Sequence, residues 1–221
     1  MTGNISTLVR KIRAGVEMQL INNLIPILMK NISFEIATVK SIEQCRDLFD
    51  ELMAFQKSKA NIAQNSFDMM DFDTRVKASY ENTLIEKQII FVKDNGTPVG
   101  YVFSTISDIE EKDRKHYPDW APKYEKSIGF YPDWVSLPKK IGCLSNLYLR
   151  EEYRGTGIGG QLFDMTMKWL ESFSDCELTF VFISNGNEDA LRFYLNHGFT
   201  LSHDVFGGFI QAAYKFKDAT I

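Results

Sequence analysis

Nothing in the chain constrains its fold more than residues 153–160, Tyr-Arg-Gly-Thr-Gly-Ile-Gly-Gly, which set four glycines among six residues between a strand-like and a helix-like stretch. Upstream, residues 141–149 read as a strand. Downstream, Ile158, Leu162, Met165 and Trp169 recur on one face of a helix predicted over residues 157–173. Amides in the first turn of a helix have no internal acceptor, and the helix dipole adds partial positive charge there. Glycines also remove the Cβ atoms that would hold an anion off the backbone, so the turn suits a pyrophosphate. The same glycines serve equally well to turn a strand tightly into a helix, and a glycine pattern by itself does not separate the two uses. Two other phosphate-binding schemes fail on the residues. A nucleoside-triphosphate loop needs Lys and then Ser or Thr after the last glycine, where Gln161 and Leu162 stand. A dinucleotide fold needs the turn after its first strand and an acidic residue closing the next, whereas this turn comes about two-thirds along the chain and residues 178–184 end without Asp or Glu.

The remaining pattern fixes the fold class. Residues 33–40 alternate as a half-buried strand. Ser41 then opens a helix, with Gln44 completing a capping box and Cys45, Leu48, Phe49, Leu52 and Phe55 or Gln56 marking one face. Residues 57–68 carry little pattern, and residues 69–84 form a weaker helical segment. Residues 88–93 and 97–105 read as two strands joined through Asp94-Asn95-Gly96, whose Asn-Gly pair tolerates the positive φ of a tight hairpin. Residues 107–138 hold four of the six prolines together with Tyr117, Trp120, Tyr124, Phe130, Tyr131 and Trp134, in no sustained period. A connection of that length inside a domain tends to be functional or mobile. Residues 178–184 (LTFVFIS) are an unbroken apolar run, as in a strand buried on both faces. A short helix over residues 187–197 is closed by Gly198, and two last strands fall near residues 199–203 and 209–216. Antiparallel hairpins combined with one parallel crossover make the chain α+β.

With 221 residues and 44% hydrophobic content the chain can form one substantial core. No apolar run approaches the ~20 residues that cross a bilayer, so no membrane partner is expected. A net charge of −4 without any Lys/Arg cluster argues against nucleic acid. Cys45, Cys143 and Cys176 lie far apart in apolar segments and read as reduced core residues of a cytoplasmic protein rather than metal ligands. Residues 1–28 are set apart as an N-terminal extension. Ile5, Leu8, Val9, Ile12 and Val16 there have the spacing of a short amphipathic helix, and Asn22, Asn23 and Pro26 interrupt what would otherwise resemble a signal peptide. The compact domain is expected to occupy residues 29–221.

Arg154, Gly157 and Gly159, directly after residues 146–153, match the pattern Arg/Gln-x-x-Gly-x-Gly/Ala. Asn187, Ala190, Phe193, Tyr194, Gly198 and Phe199 match Asn-x-x-Ala-x-x-Phe-Tyr-x-x-x-Gly-Phe. Through these two motifs, and through the order of elements over residues 33–216, the chain resembles the GNAT superfamily of acetyl-CoA-dependent N-acyltransferases. The resemblance implies a mixed, mostly antiparallel central sheet of six to seven strands flanked by about four helices, with one parallel strand pair splayed at the cofactor site. It implies acetyl-CoA as cofactor, its pantetheine arm paired with the backbone of Leu147, Tyr148 and Leu149. The pyrophosphate would lie on the amides of Gly155, Thr156, Gly157, Ile158, Gly159 and Gly160 behind Arg154. Asn187 would bond the cofactor through its side-chain amide, or serve simply as the helix N-cap, two roles that are compatible. Tyr194 is the implied proton donor to the departing thiolate, although a Tyr four residues from Ala190 would also suit a core-facing position. Leu147 N–H is the natural donor to the thioester carbonyl.

One position departs from the pattern. Many members of the superfamily carry a carboxylate two residues before the position of Leu147, and this chain has Ser145 there, followed by Asn146. Neither is a useful base, so proton removal from the acceptor would pass through water or a residue from elsewhere. Glu151 and Glu152, beside the turn, read as solvent-exposed. The acceptor is open between a small-molecule amine, a peptide N-terminus and a lysine side chain. Asp108, Glu110, Glu111, Asp113 and Asp119 could draw in a cationic amine, whereas Lys112, Arg114 and Lys115 among them favour an ordinary solvated loop. The aromatics of residues 117–134 could instead cover the acceptor. A homodimer is a further expectation of the resemblance. The rival reading is a non-catalytic acyl-CoA-binding module.

Overall fold

The structure, a computed structural model, describes residues 31–125 and 127–217. The helix expected within residues 1–28 and a domain start at Met29 lie outside the described residues. Seven strands form one sheet in the order β1-β2-β3-β4-β5-β7-β6. They are β1 (Ile32–Ile36), β2 (Glu86–Asp94), β3 (Thr97–Ile109), β4 (Lys139–Leu149), β5 (Leu178–Ser184), β6 (Thr200–Val205) and β7 (Ile210–Phe216). All neighbours pair antiparallel except β4 and β5, which run parallel. Among the described residues three helices exceed two turns: α1 (Arg46–Lys59), α2 (Ile158–Glu171) and α3 (Glu188–Asn196).

Both faces of the sheet are covered, which is why its central strands read as unbroken apolar runs. In β2, Ile89 and Phe91 join the core under α1, while Ile90 and Val92 join the core under α2 and α3. In β5, Leu178 and Phe180 face the first core, and Val181 and Ile183 the second. Each fully buried side chain of this size contributes about 1.5–3 kcal/mol of transfer free energy. Asn95 and Gly96 take φ values of 49° and 81°, closing the β2–β3 hairpin with the left-handed pair that its residues predict. At the end of α3, Gly198 N–H donates to Leu195 O and Phe199 N–H to Tyr194 O, a Schellman closure with Gly198 at φ 83°.

Three expectations are corrected. Ser41 forms no capping box: its Oγ turns back to accept Thr38 N–H at 2.8 Å, a 3₁₀ turn follows over Ile42–Cys45, and α1 starts only at Arg46. The weak helical segment at 69–84 divides into a 3₁₀ turn (Gln64–Met69), a π-helical turn (Asp73–Lys77) and one α turn (Ala78–Glu81). The connection expected over 107–138 is shorter at its start and is packed. β3 runs on to Ile109, Glu111–Arg114 forms one helical turn, and Trp120, Phe130 and Tyr131 make ring contacts with Phe206, Phe180 and Phe182. Among the described residues no helix is long and apolar enough to cross a membrane.

Candidate active site

The site is opened by a fault in the sheet. β4 and β5 pair only from Ile141↔Leu178 to Leu144↔Val181, although β4 continues to Leu149 and β5 to Ser184. On its other edge β4 carries a bulge at the same place: Phe103 faces Asn146 and Ser104 faces Leu144, which leaves Ser145 without a partner. A bulge bends its strand and increases the local twist, so Ser145 marks the point where β4 turns away from β5. Residues 145–149 are thereby released from β5, and two cavities of about 470 and 490 Å³ meet there, sharing Gln56, Ser145, Asn146, Phe182 and Ser184.

The first cavity runs along Leu147, Tyr148 and Leu149 to the glycine turn and is closed by Asn187, Phe193 and Tyr194. Gly155 and Gly157 take φ values of 70° and 85°, which glycine adopts without strain, and Gly157 is the N-cap of α2. Gly159 and Gly160 have no such backbone need, and a Cβ on either would meet no protein atom within 4 Å. Tight internal packing therefore does not account for them; a side chain at either would project into the cradle. The first amide of α2 with an internal acceptor is Gln161 N–H, to Gly157 O at 3.1 Å. Those of Ile158, Gly159 and Gly160 find none among the described residues. The Thr156 and Ile158 side chains do not line the cavity: Thr156 Oγ1 donates to Tyr153 O at 2.6 Å, and Ile158 is buried in the core under α2. Arg154 fastens the turn to its surroundings, its Nε donating to Leu149 O at 2.7 Å and its guanidinium lying 4.5 Å over the Phe55 ring of α1.

Asn187 caps α3, accepting Ala190 N–H at 3.3 Å through Oδ1, and is also among the residues that line the cavity. Tyr194 is held by ring contacts to Phe163, Phe193 and Phe199, and its hydroxyl has no hydrogen-bond partner among the described residues. Burial, with the nearby Cys143 thiol adding to it, pushes the Tyr194 phenol well above its ordinary range, so the hydroxyl keeps its proton. Ser145 Oγ donates to Cys143 Sγ at 3.5 Å, and that thiol is itself pushed up by burial. Ser145, at the bulge, offers no base. Glu151 and Glu152 line neither cavity.

Of the second cavity, only the aromatics of residues 117–134 are foreshadowed in the sequence. It gathers Phe67, Met70, Arg75, His116, Trp120 and Tyr131 from segments with weak or no period in the sequence. Among the described residues its wall contains no Asp or Glu. Of the acidic residues at 108–119, Asp108 and Asp119 are exposed, Asp113 caps the Glu111–Arg114 turn, Glu110 pairs with Lys112 and Glu111 pairs with Arg114. Cys45 and Cys176 are buried and unpaired as expected, whereas Cys143 is only half-buried and lines this cavity. Ser184 Oγ, at the junction, is buried without a hydrogen-bond partner among the described residues.

A family model described as "Acetyltransferase (GNAT) family" matches residues 52–199. No curated protein matches the sequence. Among solved structures, an acetyltransferase from Thermus thermophilus superposes with a TM-score of 0.52 at 14% identity, over 84% of this chain and 96% of that one. Arabidopsis thaliana NAA60 in complex with acetyl-CoA gives 0.53 at 14% identity, over 86% and 100%. The PaiA N-acetyltransferase of Thermoplasma acidophilum in complex with coenzyme A gives 0.52 at 16%, over 83% and 99%. At these identities the likeness is one of fold.

Proposed function

The chain belongs to the acetyltransferase (GNAT) family, and on that premise we propose that it moves an acetyl group from acetyl-CoA to an amine across the opening between β4 and β5. The observation that carries this reading is the junction itself, where a cradle of uncommitted amides and Cβ-free glycines leads along a released strand to a second cavity.

The residues present fit the cofactor. The amides of Ile158, Gly159 and Gly160, with those of Gly155, Thr156 and Gly157 before them, hold the pyrophosphate at the positive end of α2. The backbone of Leu147, Tyr148 and Leu149, free of β5, accepts the extended pantetheine arm as an added strand. Bound acetyl-CoA supplies a thioester whose carbonyl carbon is open to attack by an amine. Leu147 N–H would donate to that carbonyl oxygen. Tyr194, whose phenol burial keeps protonated, would hold at Oη the proton that the departing sulfur takes up.

The acceptor amine must arrive without its extra proton. Cys143 and Tyr131 are pushed up by burial and stay protonated, so neither takes it. The imidazole of His116, the one histidine in the second cavity, takes that proton directly or through water. Three unpaired cysteines suit a reducing compartment, in keeping with a cytoplasmic protein.

The test is incubation with acetyl-CoA and a panel of amines while free thiol is followed. Release that depends on the amine supports transfer. Tight acetyl-CoA binding with no release across the panel would favour the non-catalytic module instead.

A further inference from the structure

The second cavity carries information about the acceptor that the transfer reading leaves open. Of the described arginines, Arg46, Arg114, Arg150 and Arg192 pair with carboxylates, and Arg154 donates to Leu149 O. The Arg75 side chain, among the described residues, has neither a carboxylate nor a hydrogen-bond acceptor. It lines the cavity with its guanidinium 4.7 Å over the ring of Trp120, which fixes the plane of the cation while its N–H edges stay unused. It stands on the π-helical turn Asp73–Lys77, in which Ala78 N–H reaches back to Asp73 O, and such turns recur at functional sites. Burial pulls the Arg75 pKa down, and the groups that oppose this are the Cys143 thiol and the Tyr101 phenol, not a carboxylate. A half-buried cation given no counter-charge is costly unless a ligand brings one.

The rest of the wall narrows the ligand. Among the described residues it contains no acidic side chain to receive a second ammonium group, and Phe67, Met70, Trp120, Phe130 and Tyr131 offer apolar surface. We propose that the acceptor is an amine carrying a carboxylate on an apolar body, an amino acid with an apolar side chain being the simplest case, and that Arg75 receives the carboxylate. A single guanidinium answers a single negative charge, which favours a carboxylate over a phosphate dianion. The proposal rests on the acetyl-transfer reading, because it takes the second cavity to be the acceptor site.

The test is calorimetry on the full chain saturated with coenzyme A, titrated with matched probes: phenylalanine against phenylalaninamide and methionine against methioninamide, with spermidine as the cation-rich comparison. The carboxylate member should bind at least about 10-fold more tightly than its amide, and spermidine should not bind. Arg75→Gln should abolish that preference while leaving coenzyme A affinity unchanged, which also reports a folded variant. Arg75→Lys should keep part of it, having the charge without the fork. With acetyl-CoA, the loss in Arg75→Gln should fall on the KM of the acid more than on kcat. Amides binding as tightly as acids, no binding by either, or an undiminished preference in Arg75→Gln would overturn the proposal. Failure of coenzyme A itself to bind would instead strike the transfer reading beneath it.

Discussion

On the donor side of the β4–β5 opening the wall is largely main chain: the amides at the start of α2, the released backbone of residues 145–149, and glycines that hold no side chain over the cradle. On the acceptor side it is largely side chain, with Arg75, His116, Trp120 and Tyr131 brought in by segments without regular period. The contrast has a physical basis. Every acetyl-CoA presents the same pyrophosphate and the same amide-bearing arm, which backbone geometry can answer once and for all. An acceptor varies in charge and shape, and only side chains vary with it. The donor half should therefore be damaged mainly by adding atoms and the acceptor half by removing them.

The largest expected effect falls on Tyr194, which closes the first cavity. Tyr194→Phe deletes one oxygen from a side chain held by the aromatic contacts of Phe163 and Phe199. Turnover should fall by about 10² to 10⁴ with coenzyme A affinity nearly unchanged, as expected for loss of a proton donor from a site whose binding is done by backbone. Unaltered turnover would remove the role from Tyr194. Next in size is Gly160→Val, an addition on the donor side. Because a Cβ at Gly160 meets no protein atom, the fold should tolerate it, and the melting temperature should hold or rise slightly as a helical glycine is lost. Coenzyme A affinity should fall by about 10², the equivalent of one or two charge-assisted amide bonds. Calorimetry showing wild-type affinity would mean that the anion lies elsewhere.

The same contrast explains what the sequence discloses. The glycine turn, the Asn187–Phe199 motif and the strand runs are local: each depends on a few neighbouring residues whose conformational limits are written in their side chains, or in the lack of one. The Asn95-Gly96 hairpin and the Gly198 closure are readable for that reason. Ser145 stands out in the sequence as the residue in place of a carboxylate, but its bulge is not visible there, because a bulge is a property of register against β3 rather than of β4 alone. Arg75 and His116 do not stand out, because residues 57–68 and 107–138 carry no sustained period and residues 69–84 only a weak helical one. Those segments are shaped by tertiary packing on Phe180, Phe206 and Phe209, which outweighs weak local preference. The expected capping box at Ser41 fails for a related reason: its hydroxyl has a nearer partner in the turn formed with Thr38.

A removal on the acceptor side should cost less than either change above, and should cost it in stability and acceptor binding. Asn185 is buried at the end of β5. Its Oδ1 accepts Asn61 N–H at 2.6 Å and Ile62 N–H at 3.0 Å, and its Nδ2 donates to Phe209 O at 2.9 Å. It thus clamps the chain after α1, the segment leading to Phe67 and Met70, onto the sheet. Asn185→Ala strands these backbone groups and should lower stability by about 2 kcal/mol. The KM for the acceptor should rise while coenzyme A affinity holds. A parallel loss of both affinities would blur the division between the halves.

The smallest effect concerns the long connection that brings His116, Trp120 and Tyr131 to the cavity. His203 on β6 ties it down: Nε2 donates to Gly129 O at 2.9 Å and Nδ1 accepts from Ser202 Oγ at 2.9 Å, partners that select the neutral Nε2–H tautomer. Burial lowers the pKa of His203 below the ordinary imidazole value of 6.5, against weaker raising effects from Gly129 O and Asp204. The unfolded chain therefore takes up a proton at a pH where the folded chain does not, and stability rises with pH across that interval. The contribution is complete above pH 6.5 and is lost as pH falls through 6.5 towards the lower folded value. His203→Asn should cost about 1 kcal/mol at pH 8, and it should flatten the decline in melting temperature between about pH 7 and 5.5, above the range where carboxylates titrate. Since His203 touches the connection and not the glycine turn, acceptor KM should follow the same pH dependence and coenzyme A affinity should not. A wild-type melting temperature that is level over this interval, or an equal slope in the variant, would show that the connection is held by its aromatic packing alone.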